Sequence, residues 1–364
     1  MLARLICLLR VLPATALLLT VTAATVVAQE NKEVWTDPKD PTLPQDFAIQ
    51  GEYVGQGEGG VSLGCQIIAL GNGKFQAVLY SGGLPGAGWD GENRSLMDGR
   101  LEGDTAVFEP ASGEKQYLAQ APERFSATRR FPPQGHQPYS GTVKDGVLSL
   151  KKEGGETLQL KKTTRESETL GKKPPEGALV LFDGTPQSMQ HWNGGRLDEK
   201  TGLLNTDGRD IVTKEKFNNY TMHLEFMLPY RPAARGQGRG NSGFYQVDHY
   251  EVQVLDSFGL EGLNNECGGI YTKADPKVNM CAPPLTWQTY DVEFTNAVRD
   301  ENGNKVKNAR ITVKHNGVVI HDNVEITGPT GGHRNEPEGT PGPIKLQGHG
   351  NPLQYRNIWI VPKP

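Results

Sequence analysis

Two short stretches carry the residue types that chemistry needs. The first runs Asn241-Ser242-Gly243-Phe244-Tyr245-Gln246-Val247-Asp248-His249-Tyr250-Glu251-Val252-Gln253-Val254-Leu255-Asp256. Val252 and Val254 alternate there with polar positions. In an extended strand the period of two puts His249, Glu251 and Gln253 on one face. The second stretch is Gly342-Pro343-Ile344-Lys345-Leu346-Gln347-Gly348-His349-Gly350. Lys345, Gln347 and His349 share one face, and Ile344 and Leu346 take the other. The two faces offer a carboxylate, two imidazoles, two amides and an ammonium group. Such rows of proton carriers and hydrogen-bonding groups suit a sugar-facing groove. A half-solvated strand of a sandwich shows the same alternation, so the pattern admits both readings.

Other residues are candidates with an equally plain alternative. Tyr271 and Lys273 follow Gly268-Gly269-Ile270 in a loop between two cysteines. They either stack on and bind a sugar or decorate a pinned surface loop. Arg356, in the closing strand Tyr355-Arg356-Asn357-Ile358-Trp359-Ile360, either binds substrate or pairs with a carboxylate of the sandwich. The Gly- and Arg-rich loop from Arg231 to Arg239 reads as a mobile turn rather than a groove border. Trp89, in Gly82–Gly91, reads as packed inward rather than presented to a sugar. Glu251 and Asp256 are the one nearby acid pair, but their odd spacing puts them on opposite faces of a regular strand. Paired-carboxylate glycoside cleavage needs two acids at a set separation. His249, Glu251 and His349 are eligible ligands for a divalent metal, although their spacing is not diagnostic; no cofactor is otherwise implied.

The elements that must position these residues are strands. The chain has 364 residues, with 45 Gly, 25 Pro and 36% hydrophobic residues. Gly and Pro cost roughly 1 and 3 kcal/mol inside a helix, so many short strands and turns are expected. Length suggests two domains. Residues 1–28 read as a signal peptide: Arg4 and Arg10, an apolar run from Val11 to Val27, then Val26-Val27-Ala28 as a cleavage site. This predicts export to a periplasmic, extracellular or cell-surface location, with no membrane span left after cleavage. Residues 29–45 form a proline-bearing linker or arm, 46–162 a small β-rich domain, 163–177 a charged linker, and 178–364 a second β region. About ten strands at this spacing fit a two-sheet antiparallel sandwich. Export favours disulfides. Cys267 and Cys281 are the natural pair, closing a loop worth roughly 3 kcal/mol, which leaves Cys65 a buried thiol. The formal charge is −4, with 38 Lys+Arg against 42 Asp+Glu. No basic patch argues for nucleic acid.

An ordered set of motifs carries a resemblance. Leu181-Phe182-Asp183-Gly184, Asn241-Ser242-Gly243, Tyr250-Glu251-Val252-Gln253-Val254-Leu255-Asp256, Trp287-Gln288-Thr289-Tyr290, Gly342 to Gly350 and Arg356-Asn357-Ile358 follow one another over residues 178–363. Together they resemble the 3-keto-disaccharide hydrolase domain family. The chain departs from that pattern at Gly348, where an acidic residue is common, and at Gln246 and Asp248, where an arginine is common. The resemblance implies a concanavalin A-like jelly-roll sandwich in an all-β protein, a carbohydrate partner, and hydrolysis of glycosides oxidised to a 3-ketone. For that chemistry Glu251 and His349 are the candidate catalytic groups, either of them able to serve as the general base. Asn241, Gln253, Tyr271, Lys273, Lys345, Gln347 and Arg356 would bind substrate. The alternative is a non-catalytic, lectin-like module on the same sandwich.

Overall fold

The computed structural model describes residues 34–364, apart from Glu153. The expected leader, residues 1–28, lies outside the described residues, as do residues 29–33. The molecule is nearly all β, and no helix among the described residues is long and apolar enough to cross a membrane.

The first half is a closed barrel. In chain order its strands are β1 (Gly51–Gln56), β2 (Ser62–Gly71), β3 (Lys74–Ser81), β4 (Arg94–Glu102) and β5 (Thr105–Pro110). The short β6 (Gln116–Tyr117) and β7 (Phe125–Ser126) come next, then β8 (Tyr139–Lys144), β9 (Val147–Lys152) and β10 (Thr157–Thr163). The barrel runs β1-β10-β9-β8-β5-β4-β3-β2, while β6 and β7 pair with each other outside it. The apolar run Ile67–Leu70 of β2 shows no alternation for a physical reason, since the strand is buried on both faces. Cys65, Ile67 and Ala69 fill the barrel interior with Phe75, Ala77 and Leu79 of β3. Ile68 and Leu70 point the other way, with Val78, Tyr80 and Leu96, into the core of the second half. Asn72 and Gly73, at φ 53° and 66°, turn the chain between β2 and β3. That is the left-handed geometry short hairpins require.

The second half is two antiparallel sheets over one core. The larger orders Arg196–Asp198, Leu203–Asn205, Gln354–Lys363, Asn219–Met227, Trp287–Thr295, Ala309–His315 and Val318–Ile326, with Leu179–Phe182 also on the Gln354–Lys363 strand. The smaller orders Trp192–Asn193, Ile211–Thr213, Lys345–Leu346, Ser242–Gln246 and Tyr250–Val254. Phe226, Tyr290 and Phe294 of the larger sheet meet Phe244, Tyr250, Val252 and Leu346 of the smaller. This alternation decides the site, because the intervening residues of the smaller sheet must face outward.

Both segments read as linkers are held down. Trp35 pairs backbone to backbone with Tyr230 (3.1 and 2.9 Å). The connector after β10 lies on the larger sheet. Thr169 Oγ1 donates to Asp291 (2.6 Å), the Gly171 amide donates to Glu225 (2.6 Å), and the Lys172 carbonyl accepts from Asn357 and Trp359. His223 sits beneath, 3.0 Å from Asp291. Burial opposes ionisation of Glu225, yet hydrogen bonds from His223, Asn357, Arg356 and the Gly171 amide bring its carboxyl down to about 2.

Candidate active site

Three neighbouring strands of the smaller sheet build one row. Tyr245 lies directly opposite Glu251 on one side and directly opposite Lys345 on the other. One step along, Gly243 lies opposite Gln253, and the Gln347 amide donates to the Gly243 carbonyl (2.8 Å). Gly243 has a plain reason to be glycine. A Cβ there would overlap the Glu251 carboxylate and crowd the Tyr245 ring. Ser242 locks the register by donating to the Gln347 carbonyl (2.6 Å). Asn241 accepts from Gln253 Nε2 (2.9 Å). The Asn241-Ser242-Gly243 motif therefore ties three strands together and leaves space over its glycine.

Asn241, Tyr245, Glu251, Gln253 and Gln347 line an open groove of about 230 Å³ with Gln237, Tyr271, Gly331, Gly332 and His349. Sites for drug-sized ligands run to roughly 300–1,000 Å³, so this one suits a single small ring at a time. Glu251 is only 3% exposed. Burial is the main reason its carboxyl rises from 4.5 to about 7; the Tyr245 hydrogen bond and the Lys345 charge oppose the rise, and the Asp210 charge adds to it. Burial and the Glu251 charge together push the Tyr245 phenol well up. Tyr245 is thus a neutral donor at ordinary pH. Its hydroxyl lies 2.9 Å from Glu251 Oε2 and 2.7 Å from the Gly331 carbonyl. One O–H cannot serve both acceptors. It donates to Glu251 when that group is ionised; once Glu251 is protonated, the acid donates to Tyr245 and Tyr245 donates to Gly331. The carboxyl can therefore gain a proton without stranding a buried polar atom, a state that would otherwise be costly.

Lys345 holds this arrangement from the side. Its Nζ lies 3.9 Å from the Tyr245 ring centroid, 2.6 Å from Asp248 and 2.6 Å from the Gly332 carbonyl. Those partners make it a fixed charge rather than a free substrate clamp. Asp248 reaches it from a two-residue turn in which Val247 and Asp248 take φ 46° and 54°. A β-branched residue at positive φ is strained. The chain here is therefore a hairpin of Ser242–Gln246 with Tyr250–Val254, and His249 leaves the extended strand that was to carry it beside Glu251 and Gln253.

The structure brings Glu251, His349, Asn241, Gln253, Tyr271 and Gln347 together and sets the other expected residues apart. Lys273 is exposed beside Gly328, outside the lining. Arg356 belongs to the larger sheet, pairs with Glu225 at 2.6 Å and lies 4.0 Å from the Trp287 ring centroid. It takes the ion-pair alternative. His249 does not line the groove; its Nε2 meets the Glu336 carbonyl at 2.7 Å and its ring lies near His333. With that imidazole engaged elsewhere, only Glu251 and His349 of the three eligible metal ligands share the groove, and no group of three or more His, Cys, Asp or Glu side chains among the described residues is arranged to hold a metal. Cys267 and Cys281, the expected disulfide pair, lie side by side as buried thiols within hydrogen-bonding reach of each other. Cys267 Sγ pairs with the Tyr290 hydroxyl (3.3 Å), and Cys281 Sγ has the Leu255 carbonyl at 3.5 Å. Trp89 packs edge-on against Tyr80.

Three groups were missed. Tyr245 was in view, but only the register reveals its place between Glu251 and Lys345. Gln237 comes from the loop read as a mobile turn; that loop is anchored, with Arg235 donating to the Leu70 carbonyl and Arg239 to the Ala69 carbonyl. Asp210 accepts from the Gly348 amide (2.8 Å) next to His349. A Cβ at Gly348 would overlap the Arg209 backbone, so this loop excludes any side chain at the departure noted in the sequence.

Residues 177–361 match the family model described as the 3-keto-alpha-glucoside-1,2-lyase-like domain. Three solved structures, all candidate glycosyl hydrolases from Parabacteroides distasonis, are similar to this chain. One shares 33% identity over 52% of this chain and 85% of its own, with a TM-score of 0.47. The others share 18% over 52% and 95% (TM-score 0.39), and 20% over 51% and 99% (TM-score 0.36). No curated protein matches.

Proposed function

The chain belongs to the 3-keto-alpha-glucoside-1,2-lyase-like domain family, and from that premise we propose an exported hydrolase of glycosides or disaccharides that carry a 3-keto sugar. The reading of its sandwich as a concanavalin A-like jelly roll is part of the same proposal. The observation that carries it is Glu251: a buried carboxylate facing a polar groove, bonded to Tyr245, with its proton affinity raised to near neutrality.

A ketone at C3 makes the proton on C2 acidic. Ionised Glu251 takes that proton, and the C2–H electrons pass into an enolate at C3. Gln347 has an amide N–H beyond the one it gives Tyr245 (3.3 Å), and donates it to the enolate oxygen. As the ketone re-forms, the electrons make a C1–C2 double bond and expel the glycosidic oxygen from C1. His349, exposed at the groove mouth, gives that oxygen its proton. Water then adds its hydroxyl to C1 and a proton to C2, and the net result is hydrolysis. A base works best with a pKa near the working pH, and burial of Glu251 supplies that. The family description, which names a 1,2-lyase, supports elimination as the bond-breaking step.

The test is turnover of a 3-keto-disaccharide by the full chain, beside Glu251→Gln and His349→Ala. Loss of a general base or acid typically costs about 10²–10⁴-fold, and both variants should fall in that range. Glycan binding by all three proteins, with turnover by none, would leave the lectin-like module instead.

A further inference from the structure

The connection between β5 and β8 runs over residues 111–138. Connections beyond about 12–15 residues without much structure of their own are uncommon in compact domains and often functional. This one holds only the two-residue strands β6 and β7 and reaches over to the second half of the molecule. Gln120 Nε2 donates to the Ala233 carbonyl (3.0 Å), and Leu118 packs 3.5 Å from the position a Cβ on Gly236 would take. The Phe125 ring lies 5.4 Å from the Arg235 guanidinium. Tyr117 donates to buried Glu266.

From Tyr117 the bonds continue into the groove. Glu266 accepts from the amides of Gly262 (2.7 Å) and Leu263 (3.0 Å), which folds that loop. The same loop presents the Asn265 carbonyl to Gln237 Nε2 (2.7 Å). Gln237 accepts Asn241 Nδ2 on both its carbonyl and its side-chain oxygen (3.0 Å each). Asn241 in turn accepts Gln253 (2.9 Å). Each amide is oriented by the one before it, and the first is oriented by a loop braced from the barrel.

We propose that the barrel is a specificity element of the groove. Its 111–138 excursion, acting through Tyr117, Leu118 and Gln120, positions the amide row Gln237–Asn241–Gln253 that reads sugar hydroxyls. Tyr117 and Leu118 are positioning residues and touch no substrate. The role in substrate selection rests on the function proposed above; the bracing of the wall does not. Glu251 is bonded to Tyr245 and not to this row, so a disturbed row weakens substrate binding more than the chemical step.

The experiment uses the full chain with Tyr117→Phe, and Leu118→Ala as the second variant. Two readouts are taken: hydrogen exchange over residues 231–241 and 262–269, and kcat with KM on the 3-keto-disaccharide. Faster exchange in those two segments is expected, with the barrel strands unchanged. KM should rise about tenfold, the scale of one lost positioning hydrogen bond, with kcat within about twofold. Unchanged exchange in the groove wall overturns the proposal whatever the activity. So does faster exchange with unaltered kcat and KM, because the brace would then be structural only. If the wild-type chain turns over no 3-keto sugar, the same two readouts with KM replaced by the Kd for the disaccharide decide the inference, and the failure belongs to the catalytic reading alone.

Discussion

Glu251 concentrates the conflict between stability and activity in one side chain. Its carboxyl, ordinarily near 4.5, is raised to about 7. Between those values the folded protein keeps a proton that the unfolded chain has released. The unfolded state therefore binds fewer protons, and stability falls as pH rises through that window. Above about 7 the full cost is present, roughly 3 kcal/mol at 1.36 kcal/mol per pH unit. Glu251→Gln removes the charge and keeps an oxygen for Tyr245. The variant should gain up to about 3 kcal/mol over wild type at pH 8 and little at pH 4, read from urea midpoints at the two values. In the active protein the same group should give kcat/KM a rising limb with an apparent pKa near 7. A flat profile from pH 5 to 8 would remove Glu251 as the base.

At the scale of strands and turns, what was legible followed from periodicity. Val252 and Val254 against Glu251 and Gln253 marked a strand with one polar face, and Ile344 and Leu346 against Lys345 and Gln347 did the same. The two strands, one on each side of Ser242–Gln246, then present their polar faces together because both turn away from the same core. Val247-Asp248 was not legible as a turn. Tight hairpins normally announce themselves with Gly or Asn, and here strain is held in place by tertiary contacts, including the Asp248–Lys345 ion pair. Gln237 was invisible for another reason, since its anchors lie at Leu70 and Leu118, more than a hundred residues away. Arg356 belongs to the same ordered set of motifs as the groove residues but lies on the other sheet, and strand order cannot be read from spacing. Gly348 makes the close approach of two loops testable. Gly348→Ala forces its methyl into the Arg209 backbone; overpacking of this kind costs about 1–3 kcal/mol. It should also move His349, so kcat should fall with the melting temperature. A fully active, equally stable variant would mean the loops part without consequence.

Across the whole molecule the barrel and the sandwich share a core. Ile68, Leu70, Val78 and Tyr80 on the barrel exterior join one cluster with Phe258, Leu260 and Met280. The connector between them is clamped by Glu225 and Asp291. Full-length protein should therefore unfold in a single transition, with coincident midpoints by circular dichroism and tryptophan fluorescence. A fragment of residues 177–361 alone should aggregate, because it uncovers that apolar face. Two separated transitions would show that the halves are thermodynamically independent. Closure of the barrel carries one more consequence. Glu52 of β1 stands directly across from Thr163 of β10, so the polypeptide enters and leaves the barrel at the same spot. The barrel is topologically a bead on a loop. Nothing in its pairing depends on its coming first, and a circularly permuted chain that carried it after the last sandwich strand could keep every strand neighbour it has now, provided the new joint spanned the gap.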